Sequence, residues 1–319
     1  MCAHLPALCP SPRTCPMLAR AHIRILMGTH NGARWLRAQL ESLLAQSHDN
    51  WSLWVSDDGS EDETCALLEE FAARQPGRVE CILNGPGQGS AANYLQLLTH
   101  PDLPPGPVAF ADQDDVWHPK KLARAMAALD GQPGPCLWAA AYMLTDADLH
   151  PLRPAGIWRR GPSLGNALVQ NILSGHTLTL NAEALALLRR AGPAHVPHHD
   201  WWSYLVVMAA GGRAICDPDI ALLYRQHGAN TMGARQTPAA RRKRILGLLG
   251  GQWGAWMGTN FAALKDSRLD LSPDLDTFLH AWSETGVLGR ARLLRSMDAH
   301  RQSRAETALL YLAALGGRL

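Results

Sequence analysis

The apolar positions of this chain switch repeatedly between two periods. Ile23-Arg24-Ile25-Leu26-Met27 is a short apolar run and predicts a buried strand, whereas Leu36, Leu40, Leu43 and Leu44 follow helical spacing. Trp51 to Ser56 alternates as a second strand. Ser60-Glu61-Asp62-Glu63 matches a capping box and predicts a helix whose apolar face includes Leu67, Leu68 and Phe71. Val79 to Leu83 reads as a third strand, Gly85-Pro86-Gly87-Gln88-Gly89 as a loop and Ala91 to Leu98 as a helix. Val108-Ala109-Phe110-Ala111 is a fourth strand, and Pro119 opens a helix with apolar residues at Leu122, Met126 and Leu129. Strands alternating with helices predict an α/β fold with a mostly parallel sheet flanked by helices.

The second half is less regular. Asn171-Ile172-Leu173-Ser174-Gly175-His176-Thr177 precedes an apolar stretch, and His198-His199-Asp200-Trp201-Trp202 begins a helix running to about Ala210. A strand at Ile220 to Tyr224 leads into Arg225-Gln226-His227-Gly228-Ala229-Asn230. From Thr237 the chain reads as helical, with Leu293, Leu294, Leu309, Leu310 and Leu312 in its last helices. Residues 1–20 hold three cysteines, four prolines and no periodicity, which predicts a disordered leader; Met17 stands just before the first strand. The expected division is a leader at 1–20, an α/β domain at 21–234 and a helical C-terminal extension at 235–319.

A charged fraction of 18% beside 47% hydrophobic residues excludes general disorder. A formal net charge of +2 is too small to imply a nucleic-acid partner. The seven cysteines (Cys2, Cys9, Cys15, Cys65, Cys81, Cys136 and Cys216) are odd in number and form no CxxC pair. That argues against a disulfide framework or zinc site and for a reducing, cytoplasmic setting. No uninterrupted apolar stretch has the length of a transmembrane helix. The basic run Arg241-Arg242-Lys243-Arg244 reads first as a solvated helix face. With Trp253 and Trp256 downstream, it also suits peripheral contact with an anionic membrane surface.

Three polar clusters fall at predicted strand ends: Thr29-His30-Asn31, Asp57-Asp58-Gly59-Ser60 and Asp112-Gln113-Asp114-Asp115. Ligands of such sheets bind outside the carboxyl ends of the strands. Clustered carboxylates repel one another, and a divalent cation or cationic partner relieves the repulsion. Mg²⁺ and Mn²⁺ take oxygen ligands and bridge a carboxylate to substrate phosphates. The acidic cluster therefore points to metal-assisted chemistry on a phosphorylated substrate, and the plainer alternative is a solvated acidic turn.

Five segments carry a resemblance. Thr29-His30-Asn31-Gly32, Ser56-Asp57-Asp58-Gly59-Ser60, Asp112-Gln113-Asp114-Asp115-Val116-Trp117, His199-Asp200-Trp201-Trp202 and Tyr224-Arg225-Gln226-His227-Gly228 together resemble the family-2 glycosyltransferases of the GT-A fold. The last two favour the bacterial rhamnosyltransferase-like group. The resemblance implies a Rossmann-like sheet and inverting sugar transfer from a nucleotide-diphosphate donor, with dTDP-rhamnose suggested, to a glycan or lipid-linked acceptor in surface polysaccharide synthesis. It implies a Mg²⁺ or Mn²⁺ ion held by Asp114, with Asp112 and His227 as further ligands. Asp112 is also a candidate for the ribose, and Asp115 would orient its neighbours. Thr29, Asn31, Asp57 and Asp58 would contact the nucleotide, Arg225 would clamp phosphate oxygens, and Asp200 would be the general base. Without the resemblance, Asp57 and Asp58 are turn residues, Asp200 a helix cap, and Trp201 and Trp202 core residues. The chain departs from the family pattern at His30, where Tyr is usual, and at Gly87-Gln88-Gly89 and Ala92. It departs again at Gly175-His176-Thr177, where Gly-Cys-Thr is usual.

Rival readings share the sheet. Gly28 to Arg34 faintly matches the phosphate loop of a sugar nucleotidyltransferase, but the usual nearby Lys is missing. A haloacid-dehalogenase-like phosphatase needs its Asp-x-Asp after the first strand rather than the fourth. The acids retained at all three sites argue against a degenerate transferase that only binds sugar.

Overall fold

A computed structural model describes residues 21–192, 194–227 and 250–319. Its centre is β1 (Ile23–Thr29), in which Ile23, Ile25, Leu26 and Met27 are wholly shielded from solvent. β2 (Trp51–Asp57) and β4 (Val108–Asp112) flank β1, both parallel to it, and β3 (Val79–Asn84) extends β2 in the same sense. Register places Thr29 beside Asp57 and Gly28 beside Asp112. The polar clusters that follow these strands therefore emerge at one edge of the sheet. Helices α1 (Ala33–Leu44), α2 (Thr64–Arg74), α3 (Ser90–Thr99) and α4 (Lys121–Leu129) cover it, each turning apolar residues such as Leu36, Leu68, Leu97 and Leu122 inward.

Beyond β4 the sheet is mixed rather than mostly parallel. After the short β5 (Val116–Trp117) comes β6 (Cys136–Thr145), then β7 (Pro151–Ala155), β8 (Thr179–Leu180) and β9 (Arg213–Arg225). The order is β3-β2-β1-β4-β8-β6-β9-β5, with β7 paired to β6. β8 runs antiparallel to both β4 and β6, and β5 runs antiparallel to β9; β6 and β9 are parallel. The strand expected at Ile220 to Tyr224 is the end of the longer β9. β6 was not anticipated because its first six residues are all buried, so the run Leu137 to Ala141 shows no alternation.

The expected capping box does not form. α2 starts at Thr64, after a Glu63 that makes no side-chain cap, because the Ser60 hydroxyl donates to Asp57 instead, at 2.6 Å. α5 (Leu164–Val169), α6 (Ala182–Ala191) and α7 (His199–Ala209) pack with α3 on one face of the sheet, opposite α1, α2 and α4. Trp201 and Trp202 of α7 are both core residues, each 1% exposed. The remaining described chain forms α8 (Gln252–Lys265), α9 (Pro273–Glu284), α10 (Val287–Ser296) and α11 (Arg304–Leu315). Met257, Phe261, Phe278 and Leu310 of these helices join one apolar cluster with Ala167, Trp201 and Trp202. Trp253 and Trp256 also pack against that cluster. The leader at 1–20, the basic run Arg241–Arg244 and Gly228 to Asn230 lie outside the described residues. The four described cysteines are free.

Candidate active site

Thr29 ends β1 and Asp57 ends β2, and their pairing is a side-chain bond as well as a register. Thr29 Oγ1 donates to Asp57 Oδ2 at 2.7 Å, and Asp57 Oδ1 accepts from the Ser60 peptide N–H at 2.7 Å. Burial pushes the Asp57 carboxyl up, but the bonds from Ser60 and Thr29 outweigh it and hold the group below its ordinary range. Asp57 is thus engaged by its own turn. Asp58 reaches the next loop and accepts from the peptide N–H groups of Gly87 and Gly89, at 2.7 and 2.9 Å. Asn31 takes a positive φ of 47°, which Asn tolerates better than most residues. Its N–H donates to Ser60 Oγ and its Oδ1 accepts from Glu61, each at 2.8 Å. These residues make the first three loops one connected rim.

The fourth loop joins that rim through Gln113. Its amide pairs with both backbone groups of His30, accepting from the N–H and donating to the carbonyl, each at 2.9 Å. A Cβ at Gly32 would sit 2.0 Å from Gln113 Oε1, so only glycine allows this close approach.

The three acids beside Gln113 face different surroundings. Asp112 accepts from Tyr94 OH at 2.7 Å and lies 3.6 Å from His176 Nδ1. Burial raises its carboxyl, and His176 and Tyr94 more than compensate, leaving it below the ordinary range. Asp114 is bonded to His227 Nε2 at 2.7 Å, while its backbone carbonyl accepts from Arg225 Nε at 3.1 Å. Burial and the neighbouring Asp112 push the Asp114 carboxyl up, against the pull of His227. Arg225 is only 4% exposed, and its guanidinium lies over the Trp35 ring at 4.3 Å. It fastens the acidic loop to the end of β9. Asp115 is wholly buried, and neither carboxylate oxygen has a hydrogen-bond partner. Its carboxylate lies 3.9 Å from His176 Nδ1. Burial, with Asp114 and Asp112 nearby, pushes its carboxyl well above the usual range.

Sequence reasoning missed Lys121, which is also wholly buried. Its ammonium lies 3.2 Å from the centre of the Trp117 ring and donates to the His176 carbonyl at 2.7 Å. Burial drives its ammonium well below the usual range, against the nearby Asp115 and Asp112. Tyr94, the donor to Asp112, was missed as well, since one Tyr on an apolar helix face reads as core.

Asp200 is the second residue of α7, not its cap. Its Oδ2 accepts from the Gly175 N–H at 3.0 Å and its Oδ1 from the Trp201 N–H at 2.7 Å. Gly175 opens the 3₁₀ turn Gly175–Thr177, and His176 in the same turn faces Asp112. His199 stacks on Tyr94 with centroids 4.0 Å apart, and burial lowers its pKa against the raising influence of Asp200 and Asp112. The structure thus brings Asp114 to His227, and Asp112 to the turn that holds Asp200.

Among the described residues Asp146, Asp148 and His150 group on the turn after β6, and two sets of donors that suit a divalent cation lie at the acidic loop itself. Ligand atoms of Asp112, Asp115 and His176 lie within 4.8 Å of one another. Asp115, however, has no exposed surface, and the Lys121 ammonium supplies compensating positive charge nearby. Asp114 and His227 keep some exposed surface, with side chains 12% and 16% accessible, and can reach a ligand. A carboxylate completed by water and phosphate oxygens matches the oxygen preference of Mn²⁺ and Mg²⁺, and an imidazole ligand is better tolerated by Mn²⁺ than by Mg²⁺.

Residues 24–190 match the sequence profile of Glycosyl transferase family 2. The chain belongs to glycosyltransferase family 2. Over 90% of its length it is 26% identical to the dTDP-rhamnosyl transferase RfbG of Shigella flexneri, covering 98% of that protein. Its fold is similar to that of the mannosyltransferase PcManGT from Pyrobaculum calidifontis, solved in complex with GDP-Man and Mn²⁺. That match has a TM-score of 0.52 at 21% identity and covers 94% of this chain and 77% of that one. It is also similar to S. aureus TarS in complex with UDP-GlcNAc, with a TM-score of 0.54 at 15% identity over 93% of this chain and 80% of that one. The family-2 chain thus has the GT-A fold expected from its motifs. No helix among its described residues is long and apolar enough to cross a membrane.

Proposed function

We propose that the protein is an inverting glycosyltransferase that moves a sugar, rhamnose being the first candidate, from a nucleotide-diphosphate donor to a hydroxyl of a glycan or lipid-linked acceptor. Surface polysaccharide synthesis is its proposed setting. One observation carries the reading: a single turn ties the candidate base to the acidic cluster, through Gly175 to Asp200 and through His176 to Asp112. In this mechanism the Asp200 carboxylate takes the proton of the acceptor hydroxyl as its oxygen bonds to the anomeric carbon. The bond from that carbon to the diphosphate oxygen breaks, and its electron pair leaves with the nucleoside diphosphate. A divalent cation held by Asp114, His227 and Asp112 would supply positive charge to the leaving diphosphate. Thr29, Asn31, Asp57 and Asp58 shape the nucleotide side of the rim, and Arg225 keeps the acidic loop in place. The match to a dTDP-rhamnosyl transferase over nearly its whole length supports the choice of donor.

The test is a donor screen of dTDP-rhamnose, UDP-glucose, UDP-GlcNAc and GDP-mannose with Mn²⁺ or Mg²⁺. It reads nucleoside diphosphate release and, by NMR, the anomeric configuration of the product. Metal-stimulated release from at least one donor with inversion is expected. A retained configuration would remove the single-base mechanism, and no release or binding of any donor would remove the function.

A further inference from the structure

A cleft of about 220 Å³ opens next to the turn that carries Gly175, lined among others by Tyr142, Trp158, Gln170, Asn171, Ser174 and Gln302. Among the described residues its lining includes no ammonium, guanidinium or carboxylate. Such a cleft is poorly suited to a nucleoside diphosphate, whose phosphates call for cationic donors. Its polar groups are amides and hydroxyls, several with one end already fixed. Gln170 Oε1 accepts from the Gln302 N–H at 3.0 Å, and Asn171 Oδ1 accepts from the Leu173 N–H at 3.0 Å. Each fixed carbonyl leaves an amide NH₂ to donate elsewhere. Trp158 is held by its indole N–H, which donates to the Ile172 carbonyl at 2.8 Å. Gln302, which follows α10, accepts from the Arg159 N–H at 2.8 Å and donates to the Arg160 carbonyl at 2.9 Å. The C-terminal helical segment therefore helps build the wall.

The cleft's lining reaches Ser174, the residue before the turn that holds Asp200. Ser174 Oγ lies 3.4 Å from Tyr142 OH, and the Tyr142 ring meets His176 edge-on at 4.7 Å. The next residue, Gly175, holds Asp200. Aromatic carbon beside fixed amide donors and hydroxyls, without formal charge, suits a pyranose ring with its C–H face and its hydroxyls.

We propose that this cleft is the acceptor subsite and takes an uncharged pyranose, with the hydroxyl to be glycosylated turned toward Asp200. The proposal rests on the glycosyltransferase reading above. Its test is saturation-transfer NMR on the full chain without nucleotide or metal. The probes are methyl α-rhamnoside, methyl β-glucoside and methyl β-N-acetylglucosaminide, with methyl β-glucuronide as the charged comparison. At least one neutral glycoside is expected to bind, and the glucuronide to bind more weakly. Asn171→Leu is expected to weaken the neutral glycoside about fivefold or more in a folded protein, with a lower melting temperature because the Leu173 N–H loses its acceptor. Trp158→Phe, a second variant that keeps an aromatic ring, is expected to weaken it as well. The proposal is overturned if no neutral glycoside binds, if the glucuronide binds equally well, or if both folded variants bind like the wild type. Because binding is read without a donor, failure of the donor screen strikes the function and leaves this result separate.

Discussion

The peptide N–H of Gly175 donates to the Asp200 carboxylate at 3.0 Å. The bond fixes one carboxylate oxygen, and the Trp201 N–H at the start of α7 holds the other at 2.7 Å. Asp200→Asn keeps an oxygen for Gly175 but cannot accept the acceptor's proton. Its turnover at saturating donor is expected to fall at least about 10²-fold, with the melting temperature unchanged. Near-normal turnover would leave Asp200 as a tether for the turn and make His199 the next candidate base.

Access decides between the two sets of metal donors. Asp114→Ala is expected to abolish the Mn²⁺-dependent part of sugar-nucleotide affinity, and His227→Ala to reduce it about tenfold or more. Asp115→Asn, at a position with no exposed surface, is expected to keep it. Calorimetry of the nucleotide with and without Mn²⁺ measures all three. Loss in Asp115→Asn, with metal dependence retained in Asp114→Ala, would transfer the ion to the cluster of Asp112, Asp115 and His176.

Much of this site was legible because parallel register does what the sequence implies. Once β1, β2 and β4 are recognised from their apolar runs, Thr29, Asp57 and Asp112 must emerge at the same edge. The supports were hidden for a physical reason. Lys121 and Tyr94 act from helix faces that also bury apolar residues, and neither spacing nor composition shows that a buried face carries a polar contact. β6 was hidden by burial on both faces, and β8 by being two residues long. The capping-box pattern at Ser60 misled because a nearer carboxylate, Asp57, takes its hydroxyl.

Asp57 links the loops to acid stability. Its folded-state carboxyl is held below the ordinary value of 3.8. Its contribution is therefore fully present above pH 3.8 and lost as pH falls through the lower folded value. Asp57→Asn is expected to melt below the wild type at neutral pH, with the gap narrowing in acid. Its nucleotide affinity should also fall without metal, since Thr29 and Ser60 lose a charged partner. Thermal melts from neutral pH to below pH 3.8 test the sign. A gap that widened in acid would contradict it.

Lys121 supports the turn Gly175–Thr177, donating to the His176 carbonyl. Lys121→Met keeps an apolar stem but strands that carbonyl and removes the ammonium near the buried Asp115. An unpaired buried acceptor and an uncompensated buried charge should together cost on the order of 2–4 kcal/mol in urea denaturation. Adding Asp115→Asn removes the stranded charge, so the double variant should be more stable than Lys121→Met alone. If positioning is the role of Lys121, the double variant should still turn over slowly, because the turn that holds Asp200 lacks its donor. Full activity in the stabilised double variant would show that Lys121 serves only to balance Asp115, leaving Gly175 to be positioned by the rest of its turn.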